Sequence, residues 1–178
     1  MKNILILVGS MRQNGNTHML AQRFAEGAQN HNHVEIVSVA DYSVNPCIGC
    51  NSCYSREGNM CFQNDDMINI YEKLRISDIV IIASPVYFYG ISAELKCIID
   101  RLHTPMRNTF NIQKLGLFLV GASELPNLFD PIIMQYQMVL DYFGLKSIGS
   151  VLVHGVKDIG DIKNNPALKE AYALGLSI

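Results

Sequence analysis

The stretch Asn3-Ile-Leu-Ile-Leu-Val-Gly-Ser-Met-Arg-Gln-Asn-Gly-Asn-Thr17 decides the fold. Asn3–Val8 is a short run of β-rich residues, apolar on both faces, which marks a strand covered by helices on both sides. It passes through a glycine-bearing loop into a helical pattern over Thr17–Gln29. The same alternation recurs down the chain. Further Val- and Ile-rich strands are expected at His33–Val39, Asp78–Ser84, Leu115–Gly121 and Ser147–His154. Helices are expected at Asp65–Arg75, Ala93–His103, Asn127–Phe143 and Pro166–Leu174, and Asp65-Asp66 and Arg75 suit the dipole of the first of these. Five strands alternating with five helices predict a single doubly wound α/β domain over residues 1–178. Ligands of such sheets bind beyond the carboxyl ends of the strands, where the strand order reverses. That directs attention to Gly9–Asn16, a long Cys-rich loop at about 40–64, Ser84–Ser92 and Ala122–Pro126.

At 178 residues the chain can bury roughly 70% of its unfolded surface, so it needs no disulfide or metal to fold. A net charge of −2 with no Lys/Arg run argues against nucleic acid or an anionic membrane as partner. Apolar runs such as Ile4–Val8 are far too short for a membrane span. The N-terminus superficially resembles a signal peptide, but its apolar core is short and Arg12 and Asn14 fall where cleavage would occur. A cytoplasmic location is expected, where clustered cysteines stay reduced and suggest metal or redox chemistry.

The loop Gly9–Thr17 lacks both G-x-G-x-x-G and Gly-Lys-Ser/Thr, so it is neither a dinucleotide fingerprint nor a Walker loop. It offers small polar side chains at a helix N-terminus, where backbone N–H groups cradle an anion. Ser10, Asn16 and Thr17 can add donors, and Arg12 a charge-assisted bond to a phosphate. The bland alternative is a Gly-rich turn with Asn16 or Thr17 as N-cap. Strand three runs into Pro85-Val-Tyr-Phe-Tyr-Gly-Ile-Ser92, which places three aromatic residues at the ligand edge. They suit contact with a flat ring, or packing against a neighbouring loop or subunit.

The Gly-Ser-x-Arg-x-x-Gly-Asn-Thr loop resembles that of the flavodoxin-like FMN oxidoreductases. So do Ser-Pro-Val-Tyr-Phe followed by Glu-Leu-Lys, then Asp100-Arg101, and a late Gly-Leu. That family includes NAD(P)H-dependent FMN reductases, quinone and azo reductases, and iron–sulfur flavoproteins. The resemblance implies a five-stranded parallel sheet of order 2-1-3-4-5 with FMN at its carboxyl edge, in a homodimer or homotetramer. Carried over by position, Ser10, Arg12, Asn16 and Thr17 hold the FMN phosphate. Pro85, Val86, Tyr87 and Phe88 line the isoalloxazine, and Asn14, Gly15 and Gly90 complete the cofactor-binding set. NAD(P)H is then a transient co-substrate, and the electron donor or acceptor is a small molecule or a ferredoxin-like protein. No residue stands out as an obligatory acid or base. Gly121-Ala-Ser-Glu-Leu-Pro126 departs from the Gly-Gly turn of the family's next loop.

Four of the five cysteines fall in Cys47-x2-Cys50-x2-Cys53-x7-Cys61. Two successive x2 intervals resemble the ferredoxin-type run that wraps a [4Fe–4S] cluster. Structural zinc more often takes separated pairs or histidine, and no His lies between Cys47 and Cys61. The iron–sulfur flavoproteins resemble the chain here too, with a compact Cys motif followed by Asp65-Asp66-Met67. Plain flavin reductases of the superfamily also carry Cys-x2-Cys-x2-Cys. Three readings therefore stand open: a [4Fe–4S] cluster, unligated or redox-cycling thiols, or zinc, the last consistent with a non-catalytic binding module. Cys97 reads as a buried core residue. Met134 and Met138 read as core or dimer interface.

Overall fold

The computed structural model describes all of residues 1–178. Five parallel strands, β1 (Asn3–Val8), β2 (His33–Ser38), β3 (Ile79–Pro85), β4 (Lys114–Val120) and β5 (Lys146–Val153), form one sheet of order β2-β1-β3-β4-β5. Five helices connect them: α1 (Asn16–Ala28), α2 (Met67–Ile76), α3 (Ala93–Arg101), α4 (Asp130–Phe143) and α5 (Ala167–Leu176). The pairing aligns Ile4 with Ile79 and Val8 with Ala83, so the ends of β1 and β3 lie side by side. The chain reverses direction across the sheet between these two strands, which makes that edge the switch point.

Alternation along the strands builds two core layers. Ile4, Ile6 and Val8 pack with Ile79, Ile81 and Phe118 under α1 and α5. Leu5 and Leu7 point the other way, toward Ile70, Leu74 and Ile98 of α2 and α3. All these side chains are buried, which is why β1 carries no polar residue past Asn3. α1 and α5 touch backbone to backbone. A Cβ on Gly27 would sit 2.3 Å from the Tyr172 carbonyl oxygen, and one on Gly175 would sit 2.2 Å from that of Phe24. Neither glycine has any local turn to serve; each allows the other helix to approach.

The boundaries depart from expectation where side chains compete for backbone. α2 begins at Met67, not Asp65. Both carboxylates are used instead to hold the loop before the helix: Asp66 accepts from Ser43 N–H at 2.7 Å, and Asp65 from Asn45 N–H at 2.9 Å. α4 begins at Asp130 rather than Asn127 and stops at Gly144 (φ 65°), where Leu145 N–H reaches back to the Leu140 carbonyl at 2.9 Å. Cys97 is half-buried on α3, not fully buried.

Candidate functional site

The first and third loops meet at the switch point. Gly9 N–H donates to the Ala83 carbonyl at 2.7 Å, and a Cβ on Gly9 would lie 2.8 Å from the Ser92 hydroxyl oxygen. The first loop turns through Asn14 (φ 55°) with Gly15 N–H bonded to the Arg12 carbonyl at 3.1 Å. Gly15 then stands at the N-cap of α1 without supplying a side-chain cap. The backbone N–H groups of Asn16, Thr17 and His18 find no acceptor within the chain, and no acidic residue occupies the first turn. Three free donors at the positive end of a 13-residue helix form an anion cradle.

The side chains around the cradle divide in two. Ser10 is buried and accepts from Arg12 N–H at 3.2 Å, which shapes the turn. Arg12 is exposed, its guanidinium donating to the Lys157 carbonyl at 3.0 Å in the loop after β5. The Asn16 side chain is already engaged. Its amide donates to the Asp158 carbonyl at 2.8 Å and accepts from Gly160 N–H at 3.0 Å, so it braces the loop after β5. Its contribution at an anion site is its backbone N–H. Thr17 is buried beside it.

The third loop is a tight hairpin. Tyr87 and Gly90 exchange N–H···O=C bonds at 2.9 and 3.0 Å. Phe88 (φ 49°) and Tyr89 (φ 64°) both occupy the left-handed region, as the central residues of a type I′ turn do. Aromatic residues there are strained, and such strain gathers at ligand-binding sites. The base of the loop is fixed: the buried Ser84 hydroxyl accepts from Ser92 N–H at 3.0 Å and donates to the Pro85 carbonyl at 2.8 Å. Val86 N–H is tied to the Val120 carbonyl at 2.9 Å. The N–H groups of Phe88 and Tyr89 stay free, while the Phe88 ring is 99% exposed. The fourth loop lacks a Gly-Gly turn but keeps Gly121, where a Cβ would lie 2.4 Å from Leu128 Cδ2. His154 packs on Phe129 at 4.4 Å behind it.

The cysteine segment has no long regular element, only short 3₁₀ turns at Ser52–Tyr54 and Glu57–Asn59. Gly49, Asn51, Gly58 and Asn59 take positive φ, which folds the segment back on itself. Asn59 Nδ2 donates to the Cys53 carbonyl at 3.0 Å, and Thr104 Oγ1 to the Asn59 carbonyl at 2.9 Å. The result is that Cys47, Cys50, Cys53 and Cys61 all line one cavity of about 60 Å³. All four are free thiols. No three His, Cys, Asp or Glu side chains are drawn tightly enough together to grip a single ion. The Ser52 hydroxyl, 3.3 Å from Cys50 Sγ, holds that exposed thiol below the usual range.

The remaining wall of this cavity was not legible as a site in the sequence. It includes Tyr71, Arg101 and His103. Arg101, in the last turn of α3, is 4% exposed and forms an ion pair with Asp65, whose side chain is equally hidden. Arg101 Nη1 also donates to the Asn45 carbonyl at 3.3 Å, but its Nε has no partner in the protein. Burial alone would push the Asp65 carboxyl up; the hydrogen bonds from Arg101 and Asn45 outweigh it and hold the group below the usual carboxylate range. Burial pushes the Tyr71 phenol up to about 12, so it stays protonated and donates to the Arg101 carbonyl at 2.8 Å. Tyr54 and His103 contact each other at 3.3 Å on the same wall. The signals in the sequence are Asp100-Arg101 and Asp65-Asp66-Met67, which the family resemblance marks without giving either a role.

A second, larger cavity lies elsewhere. About 360 Å³ opens between α3 and α4, lined mostly by apolar side chains, among them Ile99, Phe110, Leu117 and Val139. Beside it α4 exposes Met134, Met138 and Tyr142, each about two-thirds accessible, so these methionines are not core. No helix of the chain is long and apolar enough to cross a membrane.

A 2-1-3-4-5 parallel sheet with a helix-terminal anion cradle and an aromatic turn at its switch point is a flavodoxin-like α/β protein. Comparison with known sequences carries this to a family. Residues 2–150 match the model of the NADPH-dependent FMN reductase family, and the chain belongs to that family of FMN-dependent oxidoreductases. An iron-sulfur flavoprotein of Archaeoglobus fulgidus is 36% identical over 180 residues, covering 97% of this chain and 76% of that protein. One from Methanocaldococcus jannaschii is 39% identical over 124 residues, covering 68% of this chain and 63% of its own length. Among solved structures, an NAD(P)H:quinone oxidoreductase from Methanothermobacter marburgensis superposes with a TM-score of 0.75 over 99% of this chain and 96% of that one. At 17% identity, that likeness concerns the fold alone.

Proposed function

We propose that the chain is an electron-transfer flavoprotein that takes reducing equivalents from NAD(P)H or a ferredoxin-like donor and passes them to a small-molecule acceptor such as a flavin or quinone. In this reading FMN lies at the β1–β3 edge and a [4Fe–4S] cluster sits on Cys47, Cys50, Cys53 and Cys61. The observation that carries it is the convergence of four free thiols on one cavity whose wall holds a buried guanidinium with an unsatisfied donor. Four soft sulfur donors fit iron–sulfur ligation. Four thiols within fifteen residues, with no histidine among them, suit a polynuclear core, in which each thiolate binds a different metal, better than one zinc ion. The names of the two curated relatives support the same reading.

Bound FMN would supply hydride and single-electron chemistry, and a bound cluster single-electron exchange. The chain's own groups do the holding. The free N–H groups of Asn16, Thr17 and His18 would donate to the phosphate oxygens, and Arg12 would exchange its bond to the Lys157 carbonyl for one to phosphate. The free N–H groups of Phe88 and Tyr89 would be available to the polar atoms of a bound flavin ring, on a turn whose base is held by Pro85 and Val86. Electron donors and acceptors reach the ring from the open side of that turn.

A second copy of the chain is part of the proposal. The exposed row Met134, Met138 and Tyr142 lies on α4, the helix that also lines the apolar cavity through Gln135, Tyr136 and Val139, and a two-fold contact would cover that row on both partners at once. A cytoplasmic setting keeps the thiols reduced.

Protein purified without oxygen is assayed for flavin, iron, acid-labile sulfide and zinc, and for NAD(P)H oxidation. The expected result is FMN with about four irons per chain. Flavin without iron removes the cluster and leaves an FMN reductase. A colourless protein with stoichiometric zinc replaces the proposal with a non-catalytic binding module.

A further inference from the structure

Arg101 is the only charged residue among the buried residues of the chain, and it is not placed there by the core. It occupies the last turn of α3, where a cation is favoured by the helix dipole. Asp65 answers its charge, and Asn45 accepts a second N–H. Nε is left over. It is the one buried side-chain nitrogen or oxygen in the protein without a partner. A buried donor left unsatisfied is costly, and native chains seldom keep one without a reason.

The geometry of the pair supplies a reason. Arg101 lines the cysteine cavity and Asp65 does not, so the positive member of that ion pair is the one that borders the thiols; Asp100 lines the cavity too, its carboxylate already answered by Lys96. Tyr71 lines the same cavity and clamps the Arg101 backbone through its 2.8 Å hydrogen bond to the carbonyl. Arg101, whose Nε lacks a partner, and the four sulfurs therefore border the same cavity.

We infer that Arg101 is a positioning and potential-setting residue of the cysteine site: its Nε–H donates to a sulfur of the bound cluster, and its charge favours the state carrying the extra electron. This rests on the cluster reading given above. The step concerned is the gain of one electron from FMN or from an external donor. No bond forms or breaks, and no proton moves at Arg101, because a guanidinium stays protonated throughout the accessible range. Hydrogen bonds to cluster sulfurs and nearby positive charge both shift the reduction potential upward.

The test measures the midpoint potential by anaerobic redox titration of the iron-loaded protein, followed by EPR. Arg101→Met alone would strand the Asp65 carboxylate in the interior, so the charge-free variant is the double substitution Asp65→Asn with Arg101→Met. Its one-electron reduction constant is expected to fall at least tenfold, about 59 mV to the negative side. Arg101→Lys keeps the charge but lacks Nε–H, and is expected to fall between the double variant and the wild type. Equal potentials in wild type and double variant, with iron and sulfide content unchanged, overturn the role of Arg101 and leave the cluster in place. If the double variant fails to retain iron, the Lys variant decides: a lowered potential supports the inference and an unchanged one overturns it. A wild-type protein without iron overturns both the inference and the reading beneath it.

Discussion

Replacing Phe88-Tyr89 by Asn-Gly tests whether the aromatic turn holds strain in the service of a ligand. Both residues sit at positive φ, at 49° and 64°, in a turn that Asn-Gly adopts readily. Relief of the left-handed conformation is worth about 1 kcal/mol at each position. Against this, glycine costs roughly 0.5–1 kcal/mol through the unfolded chain. Loss of the edge-on contact between the two rings, 6.2 Å apart, costs about 0.5 kcal/mol more. Little hydrophobic burial is forfeited, since Phe88 is 99% exposed and Tyr89 47% exposed. The balance is a gain of about 0.5–1 kcal/mol, or a rise in melting temperature of about 1–4 °C for a chain of this size. Calorimetry of the flavin-free protein reads the gain, and FMN titration of the same sample reads the cost. Binding is expected to weaken, because the turn trades stability for a surface placed against the flavin. A lower melting temperature would refute the strain argument. A higher one with unchanged FMN affinity would refute its purpose.

Three further outcomes are expected. Gly27→Ala pushes a Cβ to 2.3 Å from the Tyr172 carbonyl oxygen and must separate α1 from α5, at a cost of about 3 kcal/mol in denaturant unfolding; a cost under about 1 kcal/mol would mean the helices slide apart freely. Asp65→Asn leaves the Arg101 guanidinium buried without its counter-charge and costs about 3–5 kcal/mol. Because the Asp65 pKa is depressed in the folded chain, its stabilisation is complete above its unfolded value near 3.9 and is lost as pH falls through the lower folded value; the Asn variant therefore loses less stability than wild type on acidification below about pH 4. Met138→Glu, on the exposed row of α4, is expected to yield monomers by sedimentation without lowering the melting temperature of the isolated chain; a wild-type monomer at assay concentration would refute the two-fold contact.

What could be read from the chain as a string was everything that depends on neighbours in sequence. Apolar runs such as Ile4–Val8 specify strands covered on both faces, the Gly9–Thr17 loop announces a helix terminus open to an anion, and Cys47 to Cys61 declare themselves by spacing. These features depend on backbone sterics and side-chain chemistry within a dozen or so residues. What only the tertiary structure decided depends on contacts made across the chain. Asn16 reads as a phosphate donor in its loop, yet folding delivers the loop after β5 onto its amide, 142 residues on. Gly27 and Gly175 look dispensable until α1 and α5 meet. The wall of the cysteine cavity follows the same rule: Arg101 and Asp65 are 36 residues apart, and neither carries a mark of ligation in the sequence. Burial gives them their meaning, because an ion pair and an unmet donor have consequence only where water has been excluded.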